Sequence, residues 1–201
     1  MKIALVDYGA GNLPSVERAL RRLGAETERV VAGDALLGAR AIVLPGVGHF
    51  GALARALSQN GLAQALGGAV GEGAAFLGIC LGLQALYDRS DEAPDQPGLG
   101  WFPGVVRPLP AGLKLPHMGW NQLRLLRPSA LLAGIPPDAY FYFAHSYAAL
   151  DSGPHAVAVC DYGASFVAVL ERGRVGAVQF HPEKSGEPGA AVLRNFLELA
   201  R

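Results

Sequence analysis

The sequence has no surplus of charge: Lys plus Arg number 17, Asp plus Glu number 17, and the formal net charge is +0. A chain without a basic excess offers no electrostatic footprint for nucleic acid or an anionic membrane surface, which leaves small neutral substrates open. Cysteine is scarce, with only Cys80 and Cys160. Neither has a close-spaced thiol partner for metal, and such sparse usage gives no sign of a secreted disulfide framework. A long apolar run is missing at the N-terminus, where Ile3-Ala4-Leu5-Val6 meets Asp7 at once. That run is too short for a signal segment or a membrane span, so a cytoplasmic protein is expected. No internal repeat is present.

What the sequence does have is 201 residues at 51% hydrophobic composition, enough to bury one sizeable core, and a single domain over 1–201 is expected. Short apolar runs alternate with amphipathic stretches, which predicts an α/β three-layer sandwich with helices on both faces of a mostly parallel central sheet. Strands are expected at Lys2 to Asp7, Ala41 to Leu44, Ala74 to Leu77, Gly104 to Pro108, Tyr140 to His145, Ala156 to Cys160, Phe166 to Glu171 and Val175 to Phe180. Asn12 can cap a helix with Pro14 in its first turn and Gly24 as its stop. Further helices are expected at Phe50 to Gln59, Leu62 to Val70, Leu81 to Tyr87 and Gly189 to Ala200. The closer strand spacing in the second half points to antiparallel edge strands. Asp88 to Gly100, polar and turn-rich, reads as a surface loop rather than a linker.

The sharpest local signal is Gly78-Ile79-Cys80-Leu81-Gly82, directly after an apolar run and before a helix-compatible stretch. It is a nucleophile elbow with cysteine in place of serine: small residues on either side permit a strained turn that lifts the side chain clear of the backbone. The turn also sets the sulfur at a helix N-terminus, which favours an anion, and aims the Leu81 N–H at any oxyanion formed there. A buried structural cysteine between packing glycines is the competing reading.

A cysteine nucleophile needs a base. Of His49, His117, His145, His155 and His181, only His181 has a carboxylate within two residues, in His181-Pro182-Glu183. Two extended residues apart, the acid can hold one ring nitrogen while the other faces the nucleophile. The competing reading is a solvated polar strand end, and no further ligands stand at metal-binding spacing. Neither metal nor cofactor is expected.

Pro45-Gly46-Val47-Gly48-His49-Phe50-Gly51 follows a strand and contains a formal G-x-G-x-x-G, with Glu72 about twenty residues on. In a dinucleotide fingerprint the acid closes the next strand, whereas Glu72 precedes one, so that reading is set aside. Backbone N–H groups of Val47 or Gly48 would instead complete an oxyanion hole, with a plain tight turn as the alternative.

Together, and in their order along the chain of turn, elbow and His-x-Glu, these three motifs resemble the class I (triad) glutamine amidotransferases. Asp7-Tyr8-Gly9-Ala10-Gly11-Asn12-Leu13, Pro45-Gly46-Val47-Gly48, Pro116-His117-Met118-Gly119-Trp120-Asn121 and His181-Pro182-Glu183-Lys184-Ser185 are similar to the branch that serves imidazole glycerol phosphate synthase. The resemblance implies that Cys80 attacks the glutamine amide, His181 moves the proton, Glu183 orients His181, and Leu81 with Val47 or Gly48 holds the oxyanion. It further implies that Gln84, Glu92 and the backbone of His145, Ser146 and Tyr147 bind the amino-acid end of glutamine. Asn12, Trp120, Tyr142 and Lys184 would face a barrel-type cyclase in a heterodimer. Such a barrel needs about 250 residues of its own, which this chain does not hold beside a glutaminase.

Three other readings stay open at this point: a glutaminase serving an anthranilate, purine or pyridoxal phosphate synthase, a cysteine hydrolase or peptidase of similar fold, and a non-catalytic binding module.

Overall fold

The computed structural model describes residues 1–59 and 61–201. Its strands are β1 (Lys2–Val6), β2 (Glu26–Val30), β3 (Ala41–Gly46), β4 (Ala75–Cys80), β5 (Tyr87–Ser90), β6 (Phe102–Pro108), β7 (His117–Gln122), β8 (Arg124–Leu125), β9 (Tyr140–His145), β10 (Tyr147–Ala149), β11 (Ala156–Asp161), β12 (Ser165–Arg172) and β13 (Val175–Val178). The helices are α1 (Leu13–Arg22), α2 (Phe50–Gln59), α3 (Leu62–Gly71), α4 (Leu81–Gln84) and α5 (Gly186–Leu199). Short 3-10 turns lie at Gly33–Leu36 and Pro182–Lys184.

The main sheet runs β2-β1-β3-β4-β13-β12-β11-β8. Strands β2, β1, β3, β4 and β13 pair in parallel, while β12, β11 and β8 continue antiparallel, as the close strand spacing predicted. Alternate strand residues feed opposite layers, because successive side chains of a strand point to opposite faces. Ile3, Leu5, Val43 and Leu77 join Val16, Leu20, Val192 and Phe196 of α1 and α5 on one face. Val6, Ile42, Leu44 and Phe76 join Leu53, Leu57, Leu62 and Leu66 of α2 and α3 on the other. No described helix is long and apolar enough to cross a membrane.

Several boundaries differ from expectation, each for a physical reason. Strand β2 was not anticipated: Glu26-Thr27-Glu28-Arg29-Val30 has only Val30 buried. It is a charged edge strand, tied by Lys2–Glu28 and Arg29–Glu17 ion pairs, and such charge guards a sheet edge against further pairing. The helix expected from Leu81 to Tyr87 stops at Gln84, and the chain turns into β5. The stretch read as a loop from Asp88 therefore begins as a strand beside β6. The turn-rich Gly186-Glu187-Pro188 opens α5 three residues early, since a proline in the first helical turn has no N–H to satisfy. Asn12 does sit at the N-cap of α1, but its side chain makes no capping bond.

Candidate active site

Parallel strands all present their carboxyl ends on one edge, the usual place for a site in an open α/β sheet. Here that edge collects Tyr8 after β1, Val47 and Gly48 after β3, Cys80 at the end of β4, and Gln179 to Glu183 after β13. The register pairs Gly46 with Cys80 and Val178 with Ile79, which sets Val47 and Gln179 on either side of the sulfur-bearing residue.

Cys80 has φ 54 and ψ −106, and no other described non-glycine residue has a positive φ. A side chain held in that region is strained and persists only where its surroundings over-determine it. The two flanking glycines supply the constraint. A Cβ on Gly82 would stand 2.0 Å from the Leu44 carbonyl oxygen, and one on Gly78 would stand 2.7 Å from that of Gly82. The elbow is thus packed backbone to backbone against β3.

His181 stands close enough to Cys80 for the sulfur to act on its ring, and its Nδ1 donates to Glu183 Oε1 at 3.0 Å. Burial alone would depress the imidazole, yet its interactions with Cys80 and Glu183 and the charge on both outweigh it and raise its pKa to about 10. A cationic ring between sulfur and carboxylate is the arrangement that activates a cysteine nucleophile. The side chains of His181 and Glu183 are 4% and 1% exposed, so this pair lies out of bulk water. Glu183 reaches His181 from the 3-10 turn Pro182–Lys184 rather than from the extended segment expected from sequence. The single turn of α4 also contributes little macrodipole, so the positive charge beside the sulfur comes from His181.

Cys160, by contrast, is buried away from any base, and desolvation with the neighbouring Asp161 charge pushes its thiol up to about 12. His117 and His145 form a buried pair at 3.2 Å. His145 is lowered to about 3, by burial first and then by the charges of His117 and His181, so it is neutral and its Nδ1 donates to the Tyr147 carbonyl at 2.9 Å.

A cavity of about 80 Å³ opens beside Cys80 and is lined by Val47, Gly48, Leu81, Gln84, Glu92, Ala144, His145, Ser146 and Tyr147. The oxyanion and glutamine-binding candidates named from sequence therefore converge on one space. Larger cavities of about 560 Å³ and 280 Å³ lie at the amino ends of the strands around Arg40 and Arg201, far from the nucleophile. Gln84 donates Nε2 to the Tyr147 carbonyl at 2.8 Å and to Gln179 Oε1 at 3.1 Å. Glu92 accepts the Phe50 N–H through Oε2 at 2.7 Å, which satisfies the first turn of α2. The Val47 N–H is donated to the Tyr8 hydroxyl at 3.0 Å.

Sequence reasoning missed two residues here. Gln179, fully buried, donates Nε2 to Cys80 Sγ at 3.5 Å. Ser185, also fully buried, donates to the His181 carbonyl at 2.7 Å and accepts the Tyr142 N–H at 2.9 Å. A lone glutamine within the otherwise apolar run Val175 to Phe180 was the available signal for the first.

Three of the proposed interface residues cluster. Trp120 lies opposite Tyr142 in the β7–β9 pairing with ring centroids 6.0 Å apart, and Lys184 Nζ stands 5.5 Å from the Tyr142 ring. Trp120 and Met118 are 55% and 63% exposed, a large apolar outlay on a strand whose neighbour touches the triad, since Tyr142 accepts the His181 N–H at 2.9 Å. Asn12 is half-buried at the start of α1, away from any capping role.

The family model for glutamine amidotransferase class-I matches residues 4–200. The imidazole glycerol phosphate synthase subunit HisH of Methanothermobacter thermautotrophicus is 49% identical over 199 residues, 99% of each chain. That of Moorella thermoacetica is 46% identical over 200 residues, covering 99% of this chain and 95% of the relative. The chloroplastic imidazole glycerol phosphate synthase hisHF of Arabidopsis thaliana is 44% identical over 97% of this chain, which spans 34% of that longer protein. A solved structure described as a glutamine amidotransferase superposes with a TM-score of 0.78 at 26% identity, over 98% of both chains. Both the triad at the strand ends and these full-length likenesses lead to one conclusion: the chain belongs to the class-I glutamine amidotransferases, among the HisH subunits of imidazole glycerol phosphate synthase.

Proposed function

We propose that residues 1–201 act as one glutaminase domain that hydrolyses L-glutamine to glutamate and ammonia and passes the ammonia to a barrel-type cyclase in a heterodimer. That partner would use it to make imidazole glycerol phosphate and an aminoimidazole carboxamide ribotide in histidine biosynthesis. The observation that carries the reading is the strained Cys80, beside a His181 that Glu183 holds at 3.0 Å, at the mouth of a cavity lined by Gln84 and Glu92.

The chemistry follows from these groups. Cys80 sulfur attacks the side-chain amide carbon of glutamine, and the carbonyl oxygen takes the negative charge. Backbone N–H groups of Leu81 and of Gly48 or Val47 hold that oxyanion. His181 then gives its proton to the departing nitrogen, the C–N bond breaks, and ammonia leaves a thioester. Water, deprotonated by His181, adds to the thioester carbon and releases glutamate and the sulfur. At the amino-acid end, Gln84 has both amide N–H groups engaged by Tyr147 and Gln179, which leaves its Oε1 to accept from the substrate ammonium. Glu92 Oε1 is the matching acceptor, because Oε2 holds the Phe50 N–H. The exposed Trp120 beside Tyr142 and Lys184 supplies an aromatic anchor for the cyclase, and Asn12 would be a further contact. We place the protein in the cytoplasm, a reducing compartment that keeps the Cys80 thiol free.

The test is ammonia release from glutamine with and without the purified cyclase and its ligand, for the wild type and Cys80→Ala. Turnover that the cyclase raises, and that Cys80→Ala abolishes, supports the reading. Undiminished release by Cys80→Ala removes the nucleophile, and turnover indifferent to the cyclase removes the synthase assignment.

A further inference from the structure

Tyr8 lies where β1 ends, in the Asp7-Tyr8-Gly9-Ala10-Gly11-Asn12 turn. Gly9 and Gly11 adopt φ 87 and φ 134, and Asp7 Oδ1 accepts the Gly9 N–H at 3.0 Å, so the turn has a defined shape that glycine alone tolerates. From it the Tyr8 hydroxyl reaches across to the loop after β3. It accepts the Val47 N–H at 3.0 Å and donates to the Val47 carbonyl at 3.0 Å. One side chain thus holds both polar groups of the residue beside the nucleophile.

Those two groups belong to successive peptide units, Gly46-Val47 and Val47-Gly48. Rotating either unit to present an N–H to the substrate carbonyl breaks a bond to Tyr8. On the Gly48 side the backbone offers little resistance, since Gly48 already sits at φ 94, whereas Gly46 is fixed in β3 opposite Cys80. The side-chain restraint on Val47 itself resides in the hydroxyl. Its pKa is pushed up to about 12, by burial first and by the charges of Cys80 and Asp7, although the Val47 hydrogen bond works the other way, so the group remains a neutral O–H that can donate and accept together.

We propose that Tyr8 is a positioning residue that restrains glutamine hydrolysis in the free subunit by holding the Val47 peptides in a non-donating orientation, and that a partner releases them by acting on the 7–12 turn. This inference rests on the glutaminase reading above. It assigns the two states a common physical part, since the same turn that carries Tyr8 leads into Asn12 at the start of α1, a residue the proposed function turns toward the cyclase. Tyr8 touches no reacting atom in this scheme; it acts through Val47.

Tyr8→Phe keeps the ring and removes both bonds. Losing two neutral hydrogen bonds that favour one orientation shifts the balance roughly tenfold, equivalent to about 1.4 kcal/mol. The expected result is a roughly tenfold rise in kcat of the free subunit at unchanged KM. Cyclase-saturated turnover stays within about twofold of wild type, so the stimulation ratio shrinks by the same factor. Affinity for the γ-aldehyde analogue of glutamine, whose adduct oxygen needs the same donors, rises in parallel. A merely structural tyrosine would lower activity on removal, so a rise separates the two roles. Basal turnover that is unchanged or reduced in Tyr8→Phe overturns the proposal. The wild type gives a second measurement independent of the variant's folding: the Val47 amide proton is protected from exchange in the free subunit and loses protection in the complex. A freely exchanging Val47 amide in the free subunit also overturns it. Wild-type protein inert toward glutamine even with the cyclase would instead sink the glutaminase reading itself.

Discussion

Replacing Gln179 by methionine removes the one amide that touches the Cys80 sulfur while keeping a side chain of similar volume and no branch. Gln179 is completely buried, donates Nε2 to Sγ at 3.5 Å and accepts Gln84 Nε2 through Oε1 at 3.1 Å. A hydrogen bond to a charged group is worth about 1.5 to 3 kcal/mol, and we take the low end for this one, about 1.5 to 2 kcal/mol. That is a roughly 13- to 30-fold loss wherever the sulfur acts as an anion. The same change leaves one N–H of Gln84 without its acceptor, at about 1 to 3 kcal/mol of folding stability. A domain with the usual margin of about 5 to 15 kcal/mol tolerates this. The assay is the second-order rate of Cys80 alkylation by iodoacetamide near neutral pH, with ammonia release measured alongside. Cys160 serves as the silent thiol, because burial holds its pKa near 12. Both rates should fall together, with KM little changed. A folded Gln179→Met protein whose Cys80 alkylates at the wild-type rate would refute the argument that this amide steadies the sulfur.

Trp120→Ala should weaken cyclase binding by about 2 kcal/mol or more, roughly 30-fold in Kd, by titration calorimetry. Because Trp120 is 55% exposed, thermal stability and basal turnover should stay near wild type, and unchanged affinity would strike Trp120 from the interface. Acid should destabilise the protein through His145, whose pKa falls from 6.5 in the unfolded chain to about 3 when folded. Between those values the unfolded chain takes up a proton that the buried ring refuses, so stability is lost as pH falls, by up to about 1.4 kcal/mol per unit. His145→Phe should lower the neutral-pH plateau, since the Tyr147 carbonyl and His117 lose a partner, yet flatten the acid slope in urea unfolding between pH 7 and 4. His181 works in the opposite sense: its raised pKa stabilises fully below 6.5 and ceases to do so as pH climbs through about 10.

The chemistry was legible locally wherever one short segment had to satisfy a steric demand. Gly78 and Gly82 announce an elbow because no side chain fits there, as the 2.0 Å approach to the Leu44 carbonyl makes plain. His181 stood out among five histidines because its acid is two residues away, and the pair does meet at 3.0 Å. Apolar runs such as Ala75-Phe76-Leu77 and Ile42-Val43-Leu44 announce central strands because both faces of a covered sheet are dry. Strand β2 and strand β5 were invisible for the converse reason: their residues are mostly polar, and they pair because a neighbouring strand offers an edge.

From the sequence alone came the α/β architecture, the cysteine elbow and the His181–Glu183 pair, since apolar runs and short spacings mark each. Only the tertiary structure decided that Gln179 would meet a sulfur 99 residues earlier, that Tyr8 would bind both polar groups of Val47, and that Trp120 would share a face with Lys184. Those meetings depend on strand order and register, which are settled by the packing of the whole sheet and leave no periodic trace in any single segment.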